Sequence, residues 1–137
     1  MQKQIEEVAK FQIAFGQSVG TVPTLISKDE FILRYKLMRE ENEEYLEAAE
    51  KEDLVGIADA LTDQLYVLCG TILSHGMQNV IEKCFQEVQK SNLSKLDDEG
   101  LPIINGENGV FDETRPLGKV LKSKNFVEPN LKQFFEL

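Results

Sequence analysis

Four carboxylates, Glu41, Glu44, Asp59 and Asp63, fall on the apolar stripes of two consecutive helical patterns. At about 100° per residue, with Leu37 at zero, Glu44 falls near about −20°, Ala48 near about 20° and Glu41 near about 40°. With Asp59 at zero on the next pattern, Tyr66 falls near about −20°, Gly70 near about 20° and Asp63 near about 40°. The connection around 51–53 is short, which makes the two helices antiparallel neighbours and lets the acidic stripes meet. Carboxylates gathered away from water repel one another and cost several kcal/mol each unless they protonate, pair with cations or bind metal. Oxygen-only ligands suit a hard cation, Mg²⁺ or Mn²⁺, which keeps open positions for water and phosphate oxygens. The chemistry that follows is a metal site receiving a phosphate chain.

Other readings of the same residues are narrower. Acidic runs usually form a solvated helix face, and Glu43 and Glu47 fit that description. Arg34, on the same face as Glu41, could pair with an acid or touch phosphate. A di-iron carboxylate site needs Glu-x-x-His on helices, whereas the single histidine, His75, stands at a helix end and reads as a cap or polar surface residue. No nucleophilic triad can be assembled from it. No P-loop glycine pattern is present, and Asp97-Asp98-Glu99-Gly100 lacks the alternating oxygens of a calcium loop and reads as a turn.

The elements that must position these groups are helices. Over 4–15, Ile5, Val8, Phe11 and Phe15 recur at helical spacing, which favours core packing for the two phenylalanines over stacking on a base, and Gly16, Gly20 and Pro23 end the pattern. Ser27 followed by Glu30 resembles a capping box and opens a long helix to about 51. The third helix, 54–74, is apolar on almost all sides, which predicts the most buried element. A fourth spans about 78–90 after a His75-Gly76 turn, with Val80, Ile81, Cys84, Phe85 and Val88 facing inward. Beyond Leu96 the turn pairs Asn105-Gly106 and Asn108-Gly109 break periodicity, so this region is irregular or a short hairpin, yet it is too apolar for disorder. The expected fold is all-α: an antiparallel four-helix-bundle-like core over 1–96, and an irregular extension over 97–137 packed on the core or on a partner subunit, as one domain overall.

Bulk properties remove several classes. With 137 residues and 42% hydrophobic content the chain can build one core without disulfides. A net charge of −9 argues against nucleic acid as a partner. No apolar run reaches the length of a membrane span and the first residues are polar, so neither a membrane nor a leader peptide is expected. Cys69 and Cys84, each among apolar neighbours, read as buried reduced thiols, which fits a cytoplasmic location.

The sequence resembles the all-α nucleoside triphosphate pyrophosphohydrolase superfamily, which includes the MazG proteins, the dimeric dUTPases and phosphoribosyl-ATP pyrophosphohydrolase. Glu40-Glu41-Asn42-Glu43-Glu44 matches its EExxE element, and the helix from Asp59 to Tyr66 matches its second acidic element. Ser91-Asn92-Leu93-Ser94-Lys95 and the stretch from Gly118 to Asn125 are similar to the SNxSK and GKVLKGPN segments of a phosphoribosyl-ATP pyrophosphohydrolase-like branch. The chain departs from the pattern in three places. Ala60 shifts the second element to a DxxxD form that begins at Asp59, Ser123-Lys124 replace Gly-Pro, and 105–117 looks like an insertion.

The resemblance implies that Glu41, Glu44, Asp59 and Asp63 hold Mg²⁺ on a triphosphate, with Mn²⁺ as substitute. Water then releases a nucleoside monophosphate and pyrophosphate. Glu40 and Glu41 are the catalytic candidates, Glu40 as the base. Arg34, Asn92, Lys95, Lys119, Lys122 and Asn125 are the candidates for substrate contact, and a homodimer or homotetramer is expected. The alternatives are a catalytically inactive nucleotide- or metal-binding protein, for which Ala60 is the motive, and a helical interaction module whose acids pair with Arg34 and lysines.

Overall fold

The computed structural model describes residues 1–135, and the last two positions of the expected extension lie outside them. Regular structure consists of α1 (Gln2–Ala14), α2 (Lys28–Glu50), α3 (Leu54–Ser74), α4 (Ile81–Leu93) and a single 3₁₀ turn, Leu131–Phe134. Among the described residues the only β pairing is an isolated antiparallel bridge between Ile104 and Val120. The fold is therefore all-α, as the periodicity predicts, with bundle-like helix packing. The chain divides into two compact units, Met1–Ile81 and a second beginning at Glu82.

In the first unit the helix ends follow from local chemistry. The Ser27 hydroxyl caps α2 by accepting from the Glu30 N–H at 3.3 Å. Only half of the expected capping box forms, because the Glu30 carboxylate accepts from the Ser18 hydroxyl instead. Asp53 caps α3, accepting from the N–H groups of Val55 and Gly56 at 3.0 Å each. α3 ends in a left-handed cap: Gly76, at φ 66°, donates to Leu73 O, and Met77 donates to Ile72 O. A side chain there is excluded, since a Cβ would lie 2.1 Å from the Val22 carbonyl oxygen. His75 is the C-cap residue, and its Nδ1 lies 2.9 Å from Thr24 O, which agrees with the capping role read from its position.

α2 and α3 run antiparallel. Moving backward along α2 from Ala48 to Glu41 to Arg34 meets Gly56, Gln64 and Gly70 moving forward along α3. α1 packs on α3, and the core is Ile5 and Val8 against Cys69, Ile72 and Leu73, edged by Ala9, Val19, Met77 and Ile81. Each fully buried aliphatic side chain of this kind contributes about 1.5–3 kcal/mol. The two thiols, Cys69 and Cys84, are free and buried, as their apolar surroundings suggest.

Two expectations about buried faces are corrected: in α4, Phe85 and Val88, read as facing inward, are exposed and only Cys84 of that face is buried, and the all-round burial of α3 is not found. α3 is deeply buried only at Ala60, Cys69, Gly70, Ile72, Leu73 and Ser74, while Leu54, Val55, Leu61, Leu65, Tyr66 and Leu68 are exposed. A helix that is apolar all round needs neighbours on every side, and within this unit α1 and α2 cover only part of its circumference.

The second unit opens with α4 and continues as turns. Asp97 closes one of them, its carboxylate accepting from Glu99 N and Leu101 N at 2.9 Å each, so the acidic cluster is a turn, as read. Asn105 organises the following loop. It is 1% exposed, its amide donates to the carbonyls of Asp112, Arg115 and Pro116, and its carbonyl oxygen accepts from Asp112 N at 2.7 Å. Together with the bridge at Ile104 this gives a hairpin-like closure without a strand.

Candidate active site

Arg34, Leu37 and Glu41 of α2 and Asp63, Tyr66 and Gly70 of α3 line one cavity of about 300 Å³ in the first unit. Of the four acids on the two stripes inferred from helical spacing, Glu41 and Asp63 share this cavity, and Glu44 and Asp59 do not line it. Burial differs from the helical-wheel expectation: Glu41 is half-buried, whereas Glu40, Glu44, Asp59 and Asp63 are exposed, and of these four only Asp63 lines the cavity. Hydration of the ionised groups opposes moving all of them inward, and one chain leaves that side open.

The acids nevertheless act on one another. Burial, and then repulsion from Glu44, Asp63, Glu40 and Asp59, holds the Glu41 carboxyl above the ordinary glutamate value. Its Oε2 atom is buried without a hydrogen-bond partner. None of these five acids joins an ion pair among the described residues; on α2 the pairs are Arg39–Glu43 at 3.3 Å and Lys51–Glu47 at 2.7 Å. Glu43 and Glu47 are the two acids read as a solvated face. Among the described residues no three acids already stand at ligand spacing, so a cation would have to draw them inward. An all-oxygen set around an unpartnered buried carboxylate oxygen fits a hard divalent ion.

The cavity is also lined by a residue that sequence reasoning missed. Gln12 is 1% exposed; its Nε2 donates to Ser18 O at 2.7 Å, and its Oε1 has no partner. Arg34, 8% exposed, donates from one terminal nitrogen to Gln17 Oε1 at 3.3 Å, and its Nε is unpartnered. Burial lowers its pKa, with Glu30 acting in the opposite direction. The available signal was a glutamine four residues after Val8, continuing the stripe of Ile5 and Val8. That stripe runs through Gln12 and not Phe11, so the expected core packing of the phenylalanines is not found: Phe15 is 69% exposed, and Phe11 stands edge-on to Tyr66 at 5.7 Å.

The remaining candidates lie in the second unit. Lys95, Lys119 and Lys122 line a hollow of about 480 Å³ with Asp112 and Arg115. Arg115 was not legible, since it falls inside the stretch read as an insertion. Asn92 accepts from Lys95 Nζ at 2.8 Å, and Lys122 lies 4.0 Å from the centre of the Phe126 ring. Asn125 donates to Asp98 at 2.9 Å, and Lys124 pairs with the same carboxylate, which holds it below its ordinary range. The Ser123 hydroxyl donates to Leu96 O at 2.8 Å, and Val127 N donates to the Ser94 hydroxyl at 2.9 Å. These bonds knit the two C-terminal motif segments together.

Fold and site define a class, an all-α protein whose antiparallel α2–α3 pair lines a cavity with Glu41 and Asp63. The family model for phosphoribosyl-ATP pyrophosphohydrolase matches residues 8–92, more than half of the chain, and the chain belongs to that family. It is accordingly a pyrophosphohydrolase, a hydrolase of phosphoric anhydrides. The match takes in both acidic elements and ends at Asn92. Comparison with curated proteins gives no match.

Proposed function

We propose that the protein is a Mg²⁺-dependent nucleotide pyrophosphohydrolase that cleaves a nucleoside triphosphate, or a related nucleotide, to the monophosphate and pyrophosphate. The observation that carries this reading is Glu41, whose buried Oε2 is unpartnered and whose pKa is raised first by burial and then by four other acids. Glu41, Glu44, Asp59 and Asp63 hold the metal, for which Mn²⁺ can substitute. When bound, the ion neutralises phosphate oxygens and the charge that develops on the leaving pyrophosphate. Glu40, exposed beside this set, takes a proton from water as the water oxygen attacks phosphorus. The anhydride bond between the first and second phosphoryl groups breaks, and its electron pair leaves with pyrophosphate. In the second unit, Lys95, Lys119, Lys122 and Arg115 supply positive charge suited to phosphate oxygens, and Asn92 and Asn125 supply amide hydrogen bonds.

The reading includes a homo-oligomer. Tyr35 and Met38 of α2, with Leu61, Leu65 and Leu68 of α3, line an open groove of about 640 Å³. A second copy of this chain covers that apolar face in a dimer or tetramer. Light scattering would then give more than one chain per particle, and Leu65→Glu would reduce it to one.

A panel of nucleoside triphosphates with Mg²⁺, read by pyrophosphate release, tests the activity. Glu41→Gln and Asp63→Asn should each lower the rate at least ~100-fold. Equal rates in the wild type and both variants would exclude the mechanism. Mg²⁺ or Mn²⁺ at about 100 times its dissociation constant should stabilise the wild type by about 2.7 kcal/mol, and Glu41→Gln should lose most of that gain.

A further inference from the structure

We infer that Asn108-Gly109 is a site of spontaneous covalent modification, at which Asn108 loses its amide nitrogen as ammonia and becomes aspartate or isoaspartate. Water is the only co-reactant. The inference is independent of the hydrolase reading above.

The chain contains two Asn-Gly pairs, Asn105-Gly106 and Asn108-Gly109, in one loop of the second unit. Asparagine before glycine is self-reactive, because the next backbone nitrogen can reach the side-chain carbonyl carbon and no Cβ stands in its way. Attack forms the N–Cγ bond of a cyclic imide, and the proton of that nitrogen passes to solvent. The Cγ–Nδ2 bond then breaks, its electron pair leaves with Nδ2, and a proton from solvent completes ammonia. Water opens the imide at either carbonyl. Cleavage at Cγ gives aspartate, and cleavage at the backbone carbonyl gives isoaspartate, whose main chain runs through Cβ and Cγ. Nothing is oxidised or reduced.

The fold treats the two pairs in opposite ways. Asn105 is 1% exposed, its amide nitrogen donates to the carbonyls of Asp112, Arg115 and Pro116, and its Oδ1 accepts from Asp112 N. The attacking nitrogen is occupied as well, since Gly106 N–H donates to Val110 O at 2.8 Å. A Cβ at Gly106 would lie 2.8 Å from Leu117 Cδ2, so a side chain also stands against this backbone. Reaction at Asn105 requires the loop to open first, and the cost of opening appears as a slower rate.

Asn108 and Gly109 are both exposed. Among the described residues neither the Asn108 amide nor the Gly109 N–H has a hydrogen-bond partner. A Cβ at Gly109 would meet nothing within 4 Å, so the attacking nitrogen stands in open space. The pair forms the centre of a turn, Asn108 at φ 50° and Gly109 at φ 77°, closed by Val110 N donating to Glu107 O at 2.9 Å. One exposed hydrogen bond is a small barrier to the rotation that brings Gly109 N onto Cγ.

Either product adds a negative charge to a chain whose formal charge is already −9. Isoaspartate also lengthens the backbone between Glu107 and Val110. The bond from Gly106 N to Val110 O adjoins that turn, so isoaspartate at 108 loosens the shield around Asn105.

The test incubates the full chain in heavy-oxygen water, folded and in urea, and follows each asparagine by peptide mass mapping. Folded protein should convert Asn108 at least about 100-fold faster than Asn105. It should also outpace exposed Asn130, whose successor is Leu131. In urea, where the loop bonds are gone, the two Asn-Gly pairs should convert within about threefold of each other. The product should carry the heavy oxygen, contain isoaspartate and move to the acidic side in isoelectric focusing. Asn108→Gly tolerates the positive φ and should abolish that acidic shift. The inference is overturned if folded protein converts Asn105 as fast as Asn108, if Asn108 is no faster than Asn130, or if the shift persists in Asn108→Gly. Reaction of both pairs in urea and of neither in the folded chain would overturn it too, because the turn at Asn108 would then be protective.

Discussion

Gln12 and Asn105 are carboxamides buried to the same degree in different units, each 1% exposed, and they are satisfied in opposite ways. Asn105 uses both ends of its amide, donating to three carbonyls and accepting from Asp112 N, and so closes the loop of the second unit. Gln12 uses only its nitrogen end and leaves Oε1 unpartnered beside an equally incomplete Arg34 and Glu41. A buried polar group with every bond made is a folding device; one with a bond missing, in a cavity, has been kept for something else. The contrast separates structural from functional polarity without reference to exposure.

Substitution of the two amides by leucine tests that contrast most strongly. Asn105→Leu strands three carbonyl oxygens and one N–H, and should lower stability by about 3 kcal/mol in urea unfolding. Gln12→Leu removes one hydrogen bond together with an unpartnered oxygen, and should change stability by about 1 kcal/mol or less. Equal losses in the two variants would break the comparison. Gly70→Ala should have a still smaller net effect: displacing the Gln12 amide costs about 1 kcal/mol, and the gain in helix propensity offsets about the same amount. A large loss of stability there would mean that the cavity wall cannot yield.

Glu41 gives the smallest effect and the one with opposite sign. Its carboxyl is raised in the folded state, first by burial and then by Glu44, Asp63, Glu40 and Asp59, so ionising it opposes folding. The unfavourable contribution is absent below the ordinary carboxyl value of 4.5 and complete once pH exceeds the raised folded value. Without divalent metal, Glu41→Gln should therefore be more stable than the wild type at neutral pH, and the difference should fade as pH falls below about 4.5. Saturating Mg²⁺ should reverse the order. Chemical denaturation across pH, with and without the ion, checks both signs.

Much of the helical framework was legible. The bounds of α3 agree with the apolar run over 54–74, and the caps at Ser27 and at His75-Gly76 stand where their residue types place them. The meeting of Glu41 and Asp63 across α2 and α3 could also be read, because helical spacing fixes which side chains share a face and a short connection forces antiparallel packing. The second unit was less legible. Its form depends on Asn105 finding carbonyls up to eleven residues away, and no periodicity records such bonds. Arg115, carried by that loop, gave no signal of its own.

The sequence carries the directions in which side chains leave each helix axis, and from these come the all-α class, the acidic stripes and the family motifs. It does not carry what stands opposite. Whether Phe11 or Gln12 turns inward, whether Glu41 is more buried than Glu44 or Asp59, and whether the apolar face of α3 is covered all depend on where a second helix crosses the first. Burial and hydrogen bonding between helices are properties of pairs of elements, and one element's periodicity contains only half of each pair. The acids were visible because charge on an apolar stripe is conspicuous in one helix alone. The unpartnered amide of Gln12 emerges only when α1, α2 and α3 are placed around the same cavity.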